Sequence, residues 1–188
     1  MKYKIGIFGS SAGELEKIIP KAHQLGETLG KESVILITGA CDGLPYEVVS
    51  TAYKAGTEIW GYSQASDVET QKQFVPHDPS IYTNLTYIPK DYEFIANRKV
   101  SQKYRNVTST ANCDAGIIIS GRWGSLNEFT NLFDMGKVIG VLTGTGGIAD
   151  ELPNLMKKIS KESKAKVIFN DDPEVLVKQI LAELAKRS

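Results

Sequence analysis

Residues Asp114 to Phe129 read D-A-G-I-I-I-S-G-R-W-G-S-L-N-E-F, and the fold follows from how this stretch divides. Ala115 to Ile119 is apolar and branched, the composition of a strand buried on both faces. Ser120-Gly121-Arg122-Trp123-Gly124 sets a glycine on each side of a bulky pair, and Ser125-Leu126-Asn127-Glu128 opens a helix. A strand, a glycine turn and a helix N-terminus aim backbone N–H groups at one spot. That spot favours an anion, because the first helical amides lack internal partners and the helix dipole adds to them. It is the candidate functional site.

The same alternation runs outward in both directions. Upstream, strands are predicted at Tyr3 to Phe8, Val34 to Ile37 and Glu58 to Tyr62, the first two each followed by a turn and a helical pattern. Ser11 and Glu14 have capping-box spacing for a helix running to about Leu29. Pro45 suits a first helical turn, and Gly56 ends the second helix. Downstream, a helix to Met135 leads to a strand at Lys137 to Leu142. The turn Thr143 to Gly147, a helix to about Lys161 and a strand at Lys166 to Phe169 follow. Asp172-Pro173-Glu174 then offers an N-cap, a first-turn proline and a first-turn acid to a last helix. Residues 63–90 break the rhythm: polar, with Pro76, Pro79 and Pro89, and only Tyr82 to Ile88 suggesting an irregular strand. Such an insertion reads as a functional loop or as a surface excursion. From Asp91 to Asn112 a helical pattern returns.

About six strands alternating with helices predict an α/β, Rossmann-like, doubly wound parallel sheet covered on both faces, in one domain over residues 1–188. The expected order is 3-2-1-4-5-6, with 63–90 in the crossover from the third strand to the fourth. Its ligand crevice lies at the carboxyl ends of the first and fourth strands, here Gly9-Ser10-Ser11 and Ser120 to Gly124. No turn reads G-x-G-x-x-G after the first strand, which disfavours a dinucleotide; a mononucleotide or phosphorylated sugar suits the crevice better.

Charge and composition exclude other classes. With 22 basic and 22 acidic residues the formal net charge is zero, so nothing recommends a nucleic acid polymer as partner. Cys41 and Cys113 are too few for a disulfide framework, and with His23 and His77 they show no zinc spacing; they read as small packing residues. No apolar run reaches the ~20 residues of a membrane span, and a cytoplasmic location is expected.

Four motifs resemble the Lonely Guy (LOG), or lysine-decarboxylase-like, superfamily, most closely its molybdenum-cofactor carrier-like branch. Ile7-Phe8-Gly9-Ser10-Ser11 is similar to the family's first-strand turn. Thr38-Gly39-Ala40-Cys41-Asp42-Gly43-Leu44 resembles G-G-G-x-x-G-L. Arg105-Asn106, nine residues ahead of Asp114-Ala115, resembles the pair preceding S-D-A; Asn97-Arg98-Lys99 looks similar but stands at the wrong distance. Ser120 to Glu128 lines up with P-G-G-x-G-T-x-E-E. Ser120 replaces the proline, Arg122 the second glycine and Asn127 the first glutamate, a loss shared by the carrier-like branch, which reads G-T-L-S-E. The resemblance implies a homodimer that binds a nucleoside 5′-monophosphate, with no cofactor required. In active members it also implies hydrolysis of the N-glycosidic bond to free base and ribose 5-phosphate.

On this resemblance Glu128 is the carboxylate beside the sugar, and Arg105 orients the nucleotide and counters phosphate charge. The amides from Gly121 to Ser125, with the Ser125 hydroxyl, hold the phosphate, while Gly9, Ser10, Ser11, Gly39 and Gly43 complete the crevice. Residue by residue, plainer roles stand beside these. Ser125 and Glu128 match an S-x-x-E capping box, a role compatible with phosphate contact. Arg122 clamps phosphate or lies over Trp123, and Trp123 stacks on a base or packs. Asp42 shapes the sugar or base end, or caps a helix.

Overall fold

The computed structural model describes residues 2–13, 15–75, 77–159 and 161–187. Seven parallel strands form one sheet: β1 (Tyr3–Gly9), β2 (Val34–Thr38), β3 (Glu58–Tyr62), β4 (Asn84–Thr86), β5 (Ala115–Ile119), β6 (Val138–Leu142) and β7 (Lys166–Asn170). Their spatial order is β4-β3-β2-β1-β5-β6-β7, so the order reverses between β1 and β5. The expected doubly wound sheet is present with one strand more than expected. The extra strand is β4, which extends the edge beside β3 through pairs such as Gly61 with Leu85. It lies inside the irregular strand suggested at Tyr82 to Ile88, and at three residues it is too short for alternation to give it a place in the expected order.

Burial explains the layering. Every residue of β2, β5 and β6 is buried, as their unbroken apolar runs require, whereas the edge strand β7 is half-buried. Helices α1 (Ile19–Gly30), α2 (Leu44–Lys54) and α7 (Pro173–Arg187) cover one face through a core that includes Leu25, Val48, Ile117 and Ile180. The other face carries α5 (Trp123–Asp134) and α6 (Gly147–Lys158) over Phe8, Ile118, Leu132 and Val141. Helix α4 (Arg98–Ala111) packs against α5.

Residues 63–90 are more ordered than expected, holding α3 (Val68–Phe74), a 3-10 turn (Pro79–Ile81) and β4. Several helix starts differ from expectation. Helix α1 begins at Ile19, eight residues after Ser11, so Ser11 is not its cap; Glu14, the other member of that box, lies outside the described residues. Asn97, not Asp91, starts α4, accepting from the N–H groups of Lys99 and Val100 at 3.2 and 3.3 Å. Asp172 does cap α7, accepting from Val175 N–H at 2.9 Å. No helix among the described residues is long and apolar enough to cross a membrane.

Candidate functional site

The reversal point between β1 and β5 opens into a cleft of about 530 Å³. Its floor is made by the turns after β1, β2 and β5, which are tied to one another. Gly121 N–H donates to Ser10 Oγ at 3.1 Å, and the Ser10 and Ser120 hydroxyls lie 3.4 Å apart. Ser120 N–H donates at 2.8 Å to the Thr145 hydroxyl, which donates onward to the Leu142 carbonyl. Leu44 N–H donates to the Ser10 carbonyl at 2.9 Å, locking the β1 turn onto the start of α2. The β5 turn reverses through left-handed backbone at Ser120 (φ 53°) and Gly121 (φ 101°). Only glycine enters that region without penalty, and a Cβ on Gly121 would meet the Ser125 side chain at 2.5 Å.

Of the expected residues, Gly9, Ser10, Ser11, Gly39, Arg105, Arg122, Gly124, Ser125 and Glu128 line this cleft. Gly43, Ser120 and Gly121 stand behind it as turn residues, and Trp123, 83% exposed at the first position of α5, lies outside the wall. Trp123 therefore does not pack. Helix α5 starts at Trp123 with Arg122 at the N-cap position and no side-chain cap. Ser125 thus sits inside the first turn and does not cap the helix, which leaves the first-turn amides uncapped by any side chain. Asp42 is not a helix cap either. Its Oδ1 accepts from Gly43 N–H and pairs with His77 Nε2, both at 2.7 Å, and His77 stacks on Tyr46 at 3.7 Å. Burial works against the Asp42 charge, but the bonds from His77 and Gly43 outweigh it and hold the carboxyl below its usual range.

Glu128 and Arg105 form the interior of the site. Both are buried, at 7% and 4% exposure. Burial pushes the Glu128 carboxyl up to about 7, against a partial downward pull from Arg105 and Lys103. Arg105 donates from Nη1 to the Gly39 carbonyl, and its Nε lacks a partner. That packing requires glycine at 39, since a Cβ there would fall 1.5 Å from Nη1. Cys41, half-buried, also lines the cleft, and burial raises its thiol above the usual range. Cys113 packs in the core and donates to Ser109 O at 3.1 Å.

Sequence reasoning missed part of the wall. Arg98, Lys99, Gln102 and Asn106 from α4, and Gln64, Phe74 and Val75 from the insertion, also line the cleft. The Arg98 guanidinium lies 4.0 Å from the Phe74 ring centroid. The signal for α4 was available: Arg98, Gln102 and Arg105 recur at helical spacing on one face. Among the described residues, no carboxylate lies within 4.0 Å of a side-chain nitrogen of Arg98, Lys99, Arg105 or Arg122. No three His, Cys, Asp or Glu side chains among those residues converge as metal ligands.

A model of the SLOG cluster 4 family matches residues 2–177. The chain belongs to that family. This agrees with the LOG-like resemblance read from the motifs. Solved structures share this fold at low identity. The protein designated TM1055 superposes with a TM-score of 0.76 at 19% identity, covering 97% of this chain and 99% of its own. The molybdenum cofactor binding protein of Rippkaea orientalis gives 0.70 at 18%, covering 98% of each chain. DNA processing protein A of Helicobacter pylori, which binds single-stranded DNA, gives 0.68 at 18%, covering 96% of this chain and 81% of that one. No curated protein sequence matches significantly.

Proposed function

We propose that this protein binds a nucleoside monophosphate, or a related phosphorylated nucleotide or cofactor, at the carboxyl ends of β1 and β5, as a carrier or sensor. The observation that carries the reading is charge: a chain of zero net charge gathers Arg98, Lys99, Arg105 and Arg122 around one cleft without a carboxylate partner among the described residues. Arg105 is the buried member of the set, and a guanidinium held out of water is unfavourable unless an anion completes it; Arg98, Lys99 and Arg122 are exposed and open to the same anion. The uncapped amides of α5, beside Arg122 and Ser125, are the natural phosphate seat.

A small molecule suits a cleft of about 530 Å³, within the usual range for such ligands. The fold itself does not support excluding nucleic acid, because a neighbour of this architecture binds single-stranded DNA. A homodimer, a cytoplasmic location and binding without a further cofactor complete the proposal. Sedimentation at twice 20.6 kDa supports the dimer, and sedimentation at the monomer mass rejects it.

One observation favours a second reading, a phosphoribohydrolase. Glu128 lines the cleft with its carboxyl raised to about 7, where a group exchanges protons with water most usefully. Ionised, it would take a proton from a water attacking C1′ and stabilise the oxocarbenium-like state. The C1′–N bond breaks, the base leaves with a proton, and ribose 5-phosphate remains. The deciding experiment is a thermal-shift screen with AMP, GMP, IMP, ribose 5-phosphate and phosphate, followed by assay of released base, on wild type and Glu128→Ala. Stabilisation without release supports a binder. Stabilisation with release that the variant abolishes supports the hydrolase. No shift with any ligand rejects both.

A further inference from the structure

The cations of the cleft belong to two separate walls. Arg122 heads α5 beside Gly124 and Ser125. Arg98 and Lys99 open α4, whose lining face continues through Gln102 to Asn106. Arg98 and Asn106 are eight residues apart, so that face runs about 12 Å along the helix at 1.5 Å per residue. The Arg98 guanidinium carbon lies 4.0 Å from the Phe74 ring centroid, a cation–π contact that consumes no N–H donor and leaves those groups for an acceptor.

A second observation lies on the same face. Asn106 is 1% exposed, its amide donates to Asn127 Oδ1 at 3.0 Å, and its own Oδ1 is buried without a donor. Asn106 lines the cleft but this oxygen is itself enclosed, so a ligand hydroxyl or N–H satisfies it only when the side chain turns toward the cleft. The wall therefore offers cations at one end, an acceptor at the other, and the α5 phosphate seat opposite.

Resting on the nucleotide-binding reading above, we infer that the ligand carries two phosphate groups, one at Arg122 and the α5 amides, the other at Arg98 and Lys99. Between them a sugar presents a hydroxyl to Asn106. The ligand class is a small nucleotide bisphosphate with one phosphoryl group at each end of its ribose. Arg98 and Lys99 then set the preference over a monophosphate.

Calorimetry on the full chain with AMP, ADP and adenosine 3′,5′-bisphosphate tests this, with a parallel series on Arg98→Ala/Lys99→Ala and a short single-stranded oligonucleotide as a further arm. The second phosphate is expected to tighten binding about tenfold or more over AMP, as charge-assisted contacts do. The double variant should bring that ratio close to one. ADP, whose two phosphates are adjacent, should bind less tightly than the bisphosphate, and tighter binding of ADP overturns the placement of the sugar between the phosphates. AMP binding as well as either double phosphate overturns this inference while leaving the nucleotide site intact. A ratio that survives the double substitution overturns the assignment to Arg98 and Lys99. Binding of the oligonucleotide alone overturns the small-ligand reading, and binding of nothing overturns the nucleotide site itself. Circular dichroism and melting of the double variant confirm that it is folded.

Discussion

At the scale of single residues, Gly39 and Glu128 carry most of the site's tension. Gly39 exists so that Arg105 can cross its backbone; an added Cβ would sit 1.5 Å from Nη1. Gly39→Ala should eject the guanidinium at a cost of about 1–3 kcal/mol, the usual range for overpacking. It should also weaken ligand binding as much as Arg105→Ala does. Chemical denaturation and calorimetry on both variants check this, and unimpaired binding by Gly39→Ala would remove Arg105 from the site. Glu128 gives a pH signature. Its folded value is about 7, raised from 4.5 by burial. Below the unfolded value both states hold the proton, so the group is neutral in effect. As pH rises from about 4.5 to about 7 the unfolded chain ionises first. Stability then falls by roughly 3 kcal/mol, at about 1.4 kcal/mol for each tenfold difference in proton affinity between the two states. Glu128→Gln should therefore outlast wild type at alkaline pH, with the gap closing below pH 4.5; equal stability at both ends contradicts the buried-acid assignment.

At the scale of elements, the insertion shows what sequence could and could not convey. Helix α3 is anchored by Gln71, 3% exposed, whose amide donates to the Ala40 carbonyl at 2.8 Å and whose oxygen accepts from Ser63 Oγ. Nothing in V-E-T-Q-K-Q-F advertises this, because a buried glutamine and an exposed one are the same letter. Gln71→Ala orphans a buried carbonyl and a hydroxyl proton, and at about 1–3 kcal/mol for each unsatisfied group it should lower stability by roughly 2–6 kcal/mol. Replacement by Glu keeps the acceptor for Ser63 but sets a buried carboxylate against the Ala40 carbonyl, and at neutral pH should cost at least as much as Ala. Denaturant midpoints of the two variants measure both effects; no loss in either would detach α3 from the β2 turn. Helix starts are the least legible feature for a related reason. Ser125 and Glu128 have capping spacing, but the left-handed turn at Ser120 and Gly121 starts α5 three residues earlier, with Arg122 at the N-cap position, and backbone geometry overrides the pattern. The reach of α4 is hidden in a similar way. Distance to Asp114 along the chain singles out Arg105 and passes over Arg98 and Lys99, although the helix brings all of them to one wall.

For the whole molecule, topology is the most legible property, since unbroken apolar strands alternating with helices leave few arrangements, and the reversal point follows from them. What composition hides is that zero net charge is an average over an uneven surface. A protein without net charge has no global self-repulsion for salt to relieve, so a salt-dependent melting temperature must come from local imbalance. Two local effects oppose each other. Exposed pairs such as Lys161–Asp134 and Lys178–Glu174 weaken on screening, though such pairs contribute about 0–1 kcal/mol each. The cations of the cleft, with few anions near them, are relieved by screening. Below the Glu128 midpoint of about 7 that carboxyl is neutral, and the imbalance is greatest. At about one pH unit below it, raising salt from about 0.01 M to about 0.15 M shortens the Debye length from about 30 to about 8 Å. Wild type should then gain stability relative to Arg98→Ala/Lys99→Ala by up to about 1 kcal/mol, or roughly 2–4 °C for a chain of this size. Comparing the two proteins cancels the surface pairs they share. Differential scanning calorimetry at both salt concentrations reads the difference directly. Identical salt responses would mean that the α4 cations are compensated in the free protein, and the cleft would lose the charge imbalance on which anion binding rests.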